Sequence, residues 1–401
     1  MDNAPIVALE IGTTKVRVIV AEPRDDDHLT IIGLGESASR GVRKSEVIDL
    51  DNAMSCVRTA ISGAEDSSGV NIAAVHMLVS GGHIQSLVNR GAIPLVDGGE
   101  ITREDVEHVM DTARAISLAS ERDILHTICQ RFYIDDHHSV VNPVGMEGNK
   151  LAVDMLILHC VRTRLRNLVR VAKTIPLEVE DVAFSGLCAA LAVLTPEEKE
   201  NGAVVIDLGG GSSNYVAYAD SAIAAAGSFG IGGDHLTNDL ARGLRLTLAQ
   251  AENLKEVAGS AVIDRAARAQ KIELPAEGST PARFVRRGDI EMITSARIEE
   301  IFRMVKAALD HEELLHHLGA GVVLTGGGAY LREAQALAAN VFGLPCELGL
   351  PKDVSGLATA AAGPEYASPL GMLRYAQRTV RRDQQQRGGL GTLFGKIFGR
   401  A

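Results

Sequence analysis

Two segments of the chain repeat one design, and that repeat restricts the possible folds more than any other feature. Residues 203–218, AVVIDLGGGSSNYVAY, run from a β-branched strand (Val204, Val205, Ile206) to an acid, Asp207. Three glycines follow (Gly209, Gly210, Gly211), then Ser212, Ser213 and Asn214 lead into a second alternating run. Residues 6–20, IVALEIGTTKVRVIV, do the same: a strand, Glu10, Gly12, Thr13 and Thr14, then Val16, Val18 and Val20 on alternate positions. Glu10 aligns with Asp207 and Gly12 with Gly209, and each copy continues into a further candidate strand at 29–35 and 222–227. One glycine triplet alone reads as a hairpin, because tight turns need glycine for backbone reasons. Two copies of strand, acid, glycine turn and strand predict an α/β chain built from two related halves.

Length agrees, since 401 residues exceed a usual single core and two domains are the expectation. A net charge of −11 argues against nucleic acid as a partner of the protein body. The five cysteines (Cys56, Cys129, Cys160, Cys188, Cys346) form no CxxC or CxH cluster and read as small buried hydrophobes of a reducing compartment. The N-terminus shows no signal-peptide pattern, and no apolar run reaches the ~18 residues a membrane span needs.

Along the chain, 51–66 suits a helix capped by Asp49 or Asp51, and 72–80 a strand. Residues 84–162 read as a small α+β insertion in the order strand, helix, strand, strand, with Thr102 and Asp105 as a capping box. A helix at 165–175, a strand at 177–182 and a helix of small residues at 186–194 follow, and TPEEKEN reads as a surface link. Asp234 suits the N-cap of a helix to Gly243; further helices are expected at 247–258 and 289–318, with a loop at 275–281 between them. A strand at 321–325 enters Gly326, Gly327 and Gly328, and a helix at 366–377 closes the globular part.

Paired acids beside paired glycine turns suggest one nucleotide held between two halves. Backbone N–H groups of Gly12–Thr14 and Gly209–Ser212 would cradle phosphates, with Lys15 adding charge at the terminal ones. Glu10 and Asp207 would hold a hydrated Mg²⁺, which takes few carboxylates. The turn at 326–328 could pass under a nucleoside. Glu252 and Lys255 read either as a surface i, i+3 pair or as ribose or base contacts beyond the Gly232–Gly233 turn. No Walker pattern is present, and the histidines at 311, 316 and 317 read as a solvated helix face.

The C-terminus changes character. Residues 378–388 read as a flexible tether, and in the last stretch Leu390, Leu393, Phe394, Ile397 and Phe398 share one helical face. From 378 to 401 six basic residues, Lys396 and Arg400 among them, face one acid. An amphipathic segment of this kind suits the surface of a membrane.

LEIGTTKV, DLGGGSSN, GVVLTGGGAYL and PLGMLRYA resemble the phosphate, adenosine and final-helix motifs of the actin-like ATPase superfamily. IIGLGESASRGVRKSEVIDL, TREDVEHVMDTAR, NPVGMEG and GGDHLTNDLA resemble the FtsA family of bacterial cell-division proteins within it. The resemblance implies an actin-like (ribonuclease H-like, duplicated) two-domain fold with an inserted subdomain 1C and a C-terminal amphipathic helix. It implies a first core from 1–83, 163–200 and 364–377, subdomain 1C at 84–162, and a second core from 201–231 and 301–363. It further implies a small subdomain at 232–300, a linker at 378–388 and a membrane-targeting helix at 389–401. ATP with Mg²⁺ would fill the cleft, and the protein would polymerise, bind the inner-membrane surface from the cytoplasmic side at the division site and tether FtsZ filaments there. The FtsZ C-terminal peptide would dock on the small subdomain, with Arg287 and Arg297 as acid-binding residues; other division proteins are expected partners. Asn214 and Ser185 stand where relatives within the superfamily carry water-orienting acids, His or Gln, and neither is a general base. The resemblance therefore implies ATP binding with slow or negligible turnover. An actin-fold small-molecule kinase and the related pilus-assembly protein are the competing readings.

Overall fold

A computed structural model describes residues 4–24, 28–96, 99–136, 138–274, 282–357 and 361–387, with the side chains of 138 and 382–387 left aside. The first half opens as an antiparallel meander of β1 (Ile6–Ile11), β2 (Lys15–Pro23) and β3 (Leu29–Ala38). A short hairpin, β4 (Val42–Arg43) and β5 (Glu46–Val47), leads to α1 (Leu50–Ser68), whose N-cap Asp49 accepts the Asn52 N–H. β6 (Ala74–Val79) then runs parallel to β1.

The insertion follows as β7 (Gln85–Pro94), α2 (Arg103–Arg114), β8 (Arg122–Ile134), β9 (His138–Val140) and β10 (Lys150–Val161), a sheet in the order β7-β10-β8-β9. Thr102 and Asp105 close the capping box of α2, which buries Val106, Val109, Met110 and Ala113 against Val153, Met155 and Ile157 of β10. The chain returns through α3 (Arg162–Thr174), β11 (Glu178–Phe184) and α4 (Ser185–Val193). The TPEEKEN segment is not a bare link: Thr195 and Glu198 form a second capping box, with proline at N1, and Pro196–Glu200 is a short helix, α5.

The second half repeats the first. β12 (Ala203–Leu208), β13 (Ser213–Ala219) and β14 (Ala222–Phe229) form an antiparallel meander, and β12 pairs in parallel with a later strand, as β1 does. α6 (Gly233–Leu244), α7 (Leu248–Ala258), β15 (Lys271–Leu274), β16 (Arg283–Arg286) and the start of α8 (Arg287–His311) enclose a small core of Leu240, Leu254, Leu274, Val285 and Ile290. The β15–β16 hairpin flanks the expected loop at 275–281, which lies outside the described residues. The N-cap of α6 is Gly232, so Asp234 sits in its first turn; α8 stops at His311, short of the expected 318. β17 (Gly321–Thr325), α9 (Ala334–Phe342), β18 (Cys346–Leu348), β19 (Val354–Gly356) and α10 (Ala367–Arg387) complete the chain.

The two main sheets run β11-β6-β1-β2-β3-β19 and β14-β13-β12-β17-β18. Between them α4 packs on β12 and β13 while α10 packs on β1, β2 and β6. Every residue of α4 is buried, and its Cys188 carbonyl would lie 1.7 Å from a Cβ at Gly371 of α10, so only glycine lets these helices approach. Residues 378–387, expected as a flexible tether, continue α10. Arg and Gln are good helix formers, and the sequence offers no glycine or proline until Gly388. The amphipathic segment 389–401 lies outside the described residues.

Candidate nucleotide site

The two glycine turns close identically. Gly12 N–H donates to the Lys15 carbonyl and Gly209 N–H to the Ser212 carbonyl, both at 3.0 Å. They also press on one another: a Cβ on Gly210 would lie 2.2 Å from Thr14 Oγ1, and one on Gly211 2.2 Å from Thr13 Oγ1. This facing contact, more than turn geometry, is what requires glycine at 210 and 211. The N–H groups of Thr13, Thr14, Gly210 and Gly211 take no acceptor among the described residues, leaving four donors at one place. Both turns line a cavity of about 600 Å³.

The other expected residues divide around that cavity. Gly232, Gly233, Glu252, Lys255, Gly326, Gly327 and Gly328 line it. A Cβ on Gly232 would meet the Gly209 carbonyl at 2.4 Å, and Gly233 and Asp234 donate their N–H groups to the Gly209 and Gly210 carbonyls. The first turn of α6 thus holds the second glycine turn in shape. Glu252 and Lys255 are not a plain surface pair: Lys255 Nζ bonds Glu252 at 2.7 Å and Thr237 Oγ1 at 3.0 Å, joining α7 to α6 on the cavity wall. Gly326 has φ +80° and ψ 166°, with Asp207 Oδ1 2.4 Å from where a Cβ would stand. Lys15 lines the cavity but spends its charge on Glu36 at 3.1 Å.

Glu10 and Asp207 both reach the cavity, and burial raises both carboxyls above their ordinary range. Two acids on one cavity wall are, once ionised, hard oxygen donors suited to a cation, so the pair fits Mg²⁺. Their surroundings differ. Asp207 Oδ2 accepts Asn214 Nδ2 at 3.0 Å and Ser368 Oγ at 3.1 Å, and Asn214 Oδ1 accepts Ser228 Oγ at 2.7 Å. Asn214 is 1% exposed, with both ends of its amide committed. Ser185 Oγ donates to the Val79 carbonyl at 3.0 Å and is equally tied. Glu10 instead faces Arg17 at 3.0 Å, a residue the motif reading did not single out. Ser45, likewise unforeseen, spans the halves: its N–H donates to Thr13 Oγ1 and its hydroxyl meets Ser212 Oγ at 3.0 Å.

Arg287 bonds Glu291 at 2.8 Å and Gln270 at 3.0 Å, while Arg297 bonds Asp239 at 2.6 Å and also Glu300. Both arginines therefore already have acidic partners within the chain. Leu390, Leu393, Phe394, Lys396, Ile397, Phe398 and Arg400 lie outside the described residues. No group of three or more possible metal ligands occurs among the described residues, His311, His316 and His317 included, and no described helix is long and apolar enough to cross a membrane.

A family model described as "Cell division protein FtsA" matches residues 204–371, and one described as "SHS2 domain inserted in FTSA" matches 81–159, the β7–β10 insertion. Curated relatives extend the likeness: the cell division protein FtsA of Escherichia coli K12 is 32% identical over 385 residues, 94% of this chain and 91% of its own. The chain belongs to the FtsA family of cell division proteins. FtsA of Pseudomonas aeruginosa is 32% identical over 92% of this chain and 88% of its own, and that of Borreliella burgdorferi 33% over 94% and 91%. Among solved structures, the PilM-PilN type IV pilus biogenesis complex aligns over 92% of this chain and 97% of its own, with a TM-score of 0.62 and 15% identity. MreB5 of Spiroplasma citri bound to ADP aligns over 95% and 98%, with a TM-score of 0.56 and 13% identity. The fold is actin-like, with the SHS2 insertion of FtsA.

Proposed function

We propose that this cell-division protein binds ATP with Mg²⁺ between its two halves, polymerises beneath the inner membrane and tethers FtsZ filaments to it. The observation that carries the reading is the facing pair of alike-closed glycine turns, whose four N–H donors without an acceptor among the described residues share one cavity with Glu10 and Asp207. The N–H donors would hold the phosphates, the acids Glu10 and Asp207 would supply oxygen ligands to the metal, and Gly326–Gly328 with Glu252 and Lys255 would line the nucleoside end. Bound there, Mg²⁺ would supply charge neutralisation at the terminal phosphates. Asn214 and Ser185 hold their hydrogen bonds inside the protein, so neither takes a proton from water, and the nucleotide is held with little turnover. The basic amphipathic face at 390–400 supplies the membrane contact.

The acidic FtsZ peptide docks on the small subdomain, where Arg297 trades its intramolecular carboxylates for the peptide's and Arg287, still paired with Glu291, adds positive charge beside it. Exchange at Arg297, whose pair with Asp239 is partly exposed, makes the association salt-dependent. Vesicles containing anionic lipid test the reading. Full-length protein with ATP should carry FtsZ down with the vesicles, while a chain ending at Arg387 should leave FtsZ in the supernatant. Equal recovery with both would refute the tether.

A further inference from the structure

The duplicated halves are not chemically equal at their acids. In the meander β1–β2–β3, Arg17 is the cross-strand partner of Glu10 on one side and of Glu36 on the other. In β12–β13–β14 the corresponding residue is Asn214, paired in register with Asp207 and Ser228. Asn214 stands seven residues after its acid, as Arg17 does after Glu10. One half therefore sets its acid among uncharged partners, Asp207–Asn214–Ser228, and the other sets its acid in an ion-pair triad, Glu10–Arg17–Glu36.

The charged triad is built into the site. Arg17 lines the cavity with its side chain 12% exposed, bonds Glu10 at 3.0 Å and Glu36 at 2.8 Å, and lies 5.0 Å from the Tyr366 ring centroid. Tyr366 in turn donates its hydroxyl to Glu36 Oε1 at 3.1 Å. Ion pairs on two sides and a ring on a third fix the guanidinium beside one of the two acids that fit a metal.

We infer that Arg17 is a resident counter-cation of the nucleotide site. It neutralises Glu10 in place of a divalent ion, leaves Asp207 as the principal metal-holding carboxylate, and lets nucleotide stay bound when divalent metal is withdrawn. The inference rests on the reading that this cavity holds a nucleotide, and it assigns to a strand residue a charge that the glycine turns lack. It concerns affinity alone, and Arg17 is a positioning residue here.

Equilibrium binding of a fluorescent ATP analogue, measured with Mg²⁺ and with excess EDTA, tests it. The natural protein should lose less than about tenfold in affinity when Mg²⁺ is removed. Arg17→Gln should lose well over about tenfold in EDTA and recover most of it with Mg²⁺, because an acid stripped of its partner then needs the metal. Arg17→Lys keeps the charge and should retain binding in EDTA; a melting curve for each variant confirms the fold. An Arg17→Gln ratio of affinities with and without Mg²⁺ equal to that of the natural protein would overturn the inference while leaving the ATP reading intact. A natural protein that fails to bind the analogue even with Mg²⁺ would overturn both.

Discussion

Gly326→Ala separates backbone conformation from close approach at the nucleoside turn, because the protein contains its own control. Gly326 has φ +80° and ψ 166°, a region that residues with a Cβ scarcely adopt, and an added methyl would stand 2.4 Å from Asp207 Oδ1, 2.7 Å from the Leu208 carbonyl oxygen and 2.8 Å from Leu208 N. Gly343, the C-cap of α9, has φ 71° and ψ 23° with nothing within 4 Å of the added carbon. Gly343→Ala therefore carries only the left-handed cost, about 1–2 kcal/mol. At Gly326 the backbone cost is about 1–3 kcal/mol and the overlap with atoms that cannot retreat adds about 1–3 kcal/mol more. The expected total is about 2–6 kcal/mol. Urea unfolding should separate the two variants by about 2 kcal/mol or more, and ATP affinity of the folded protein should fall only in Gly326→Ala, where Asp207 is displaced. Equal losses of stability in both variants would refute the close-approach argument.

Three further outcomes follow from the same geometry. Asn214→Asp replaces an N–H donated to Asp207 at 3.0 Å by a second carboxylate; its melting temperature should drop without divalent metal and recover with Mg²⁺, and a metal-independent loss would contradict the paired-acid site. His126 is buried, accepts the Phe184 N–H at 3.0 Å, and is pushed down to about 4 by burial. The unfolded chain takes that proton near 6.5 and the folded chain does not, so stability should fall by about 3 kcal/mol as pH drops from about 6.5 to about 4. His126→Gln keeps an acceptor for Phe184 and should flatten that slope in pH-dependent urea titrations; an unaltered slope would assign it elsewhere. Glu291 is fully buried between Arg287 at 2.8 Å and Arg332 at 2.5 Å and accepts the Asp264 N–H; Glu291→Ala leaves Arg287 to Gln270 alone and opens the Asp264 N–H, and should cost about 2–3 kcal/mol by urea unfolding, and a loss below about 1 kcal/mol would contradict it.

The duplication was legible in the sequence because it rests on features a strand displays locally. Alternating valines mark both meanders, and an acid followed by glycine marks each turn. Partnership across strands was harder to read. Arg17 lies on the same face of β2 as Lys15, and nothing in its own segment shows that the register sets it between Glu10 and Glu36. Aligning the two copies beyond their glycines, to Arg17 opposite Asn214, was the available signal. Glu252 and Lys255 fit two roles in the sequence because their third partner, Thr237, comes from another helix. Polarity suggests a tether at 378–388, yet a run of Arg and Gln without apolar period extends to Arg387 a helix begun by the buried residues of α10. Aspartate favours a cap, which points to Asp234, but Gly232 holds that place under the carbonyls of Gly209 and Gly210.

The central claim, a two-sided clamp that holds ATP without spending it, is tested most directly by following radiolabelled ATP on the purified full-length protein with Mg²⁺. The account predicts one ATP retained per chain, displaceable by unlabelled ATP, with negligible phosphate release over the lifetime of the complex. Absence of bound ATP, or steady release of phosphate through many turnovers, would contradict it.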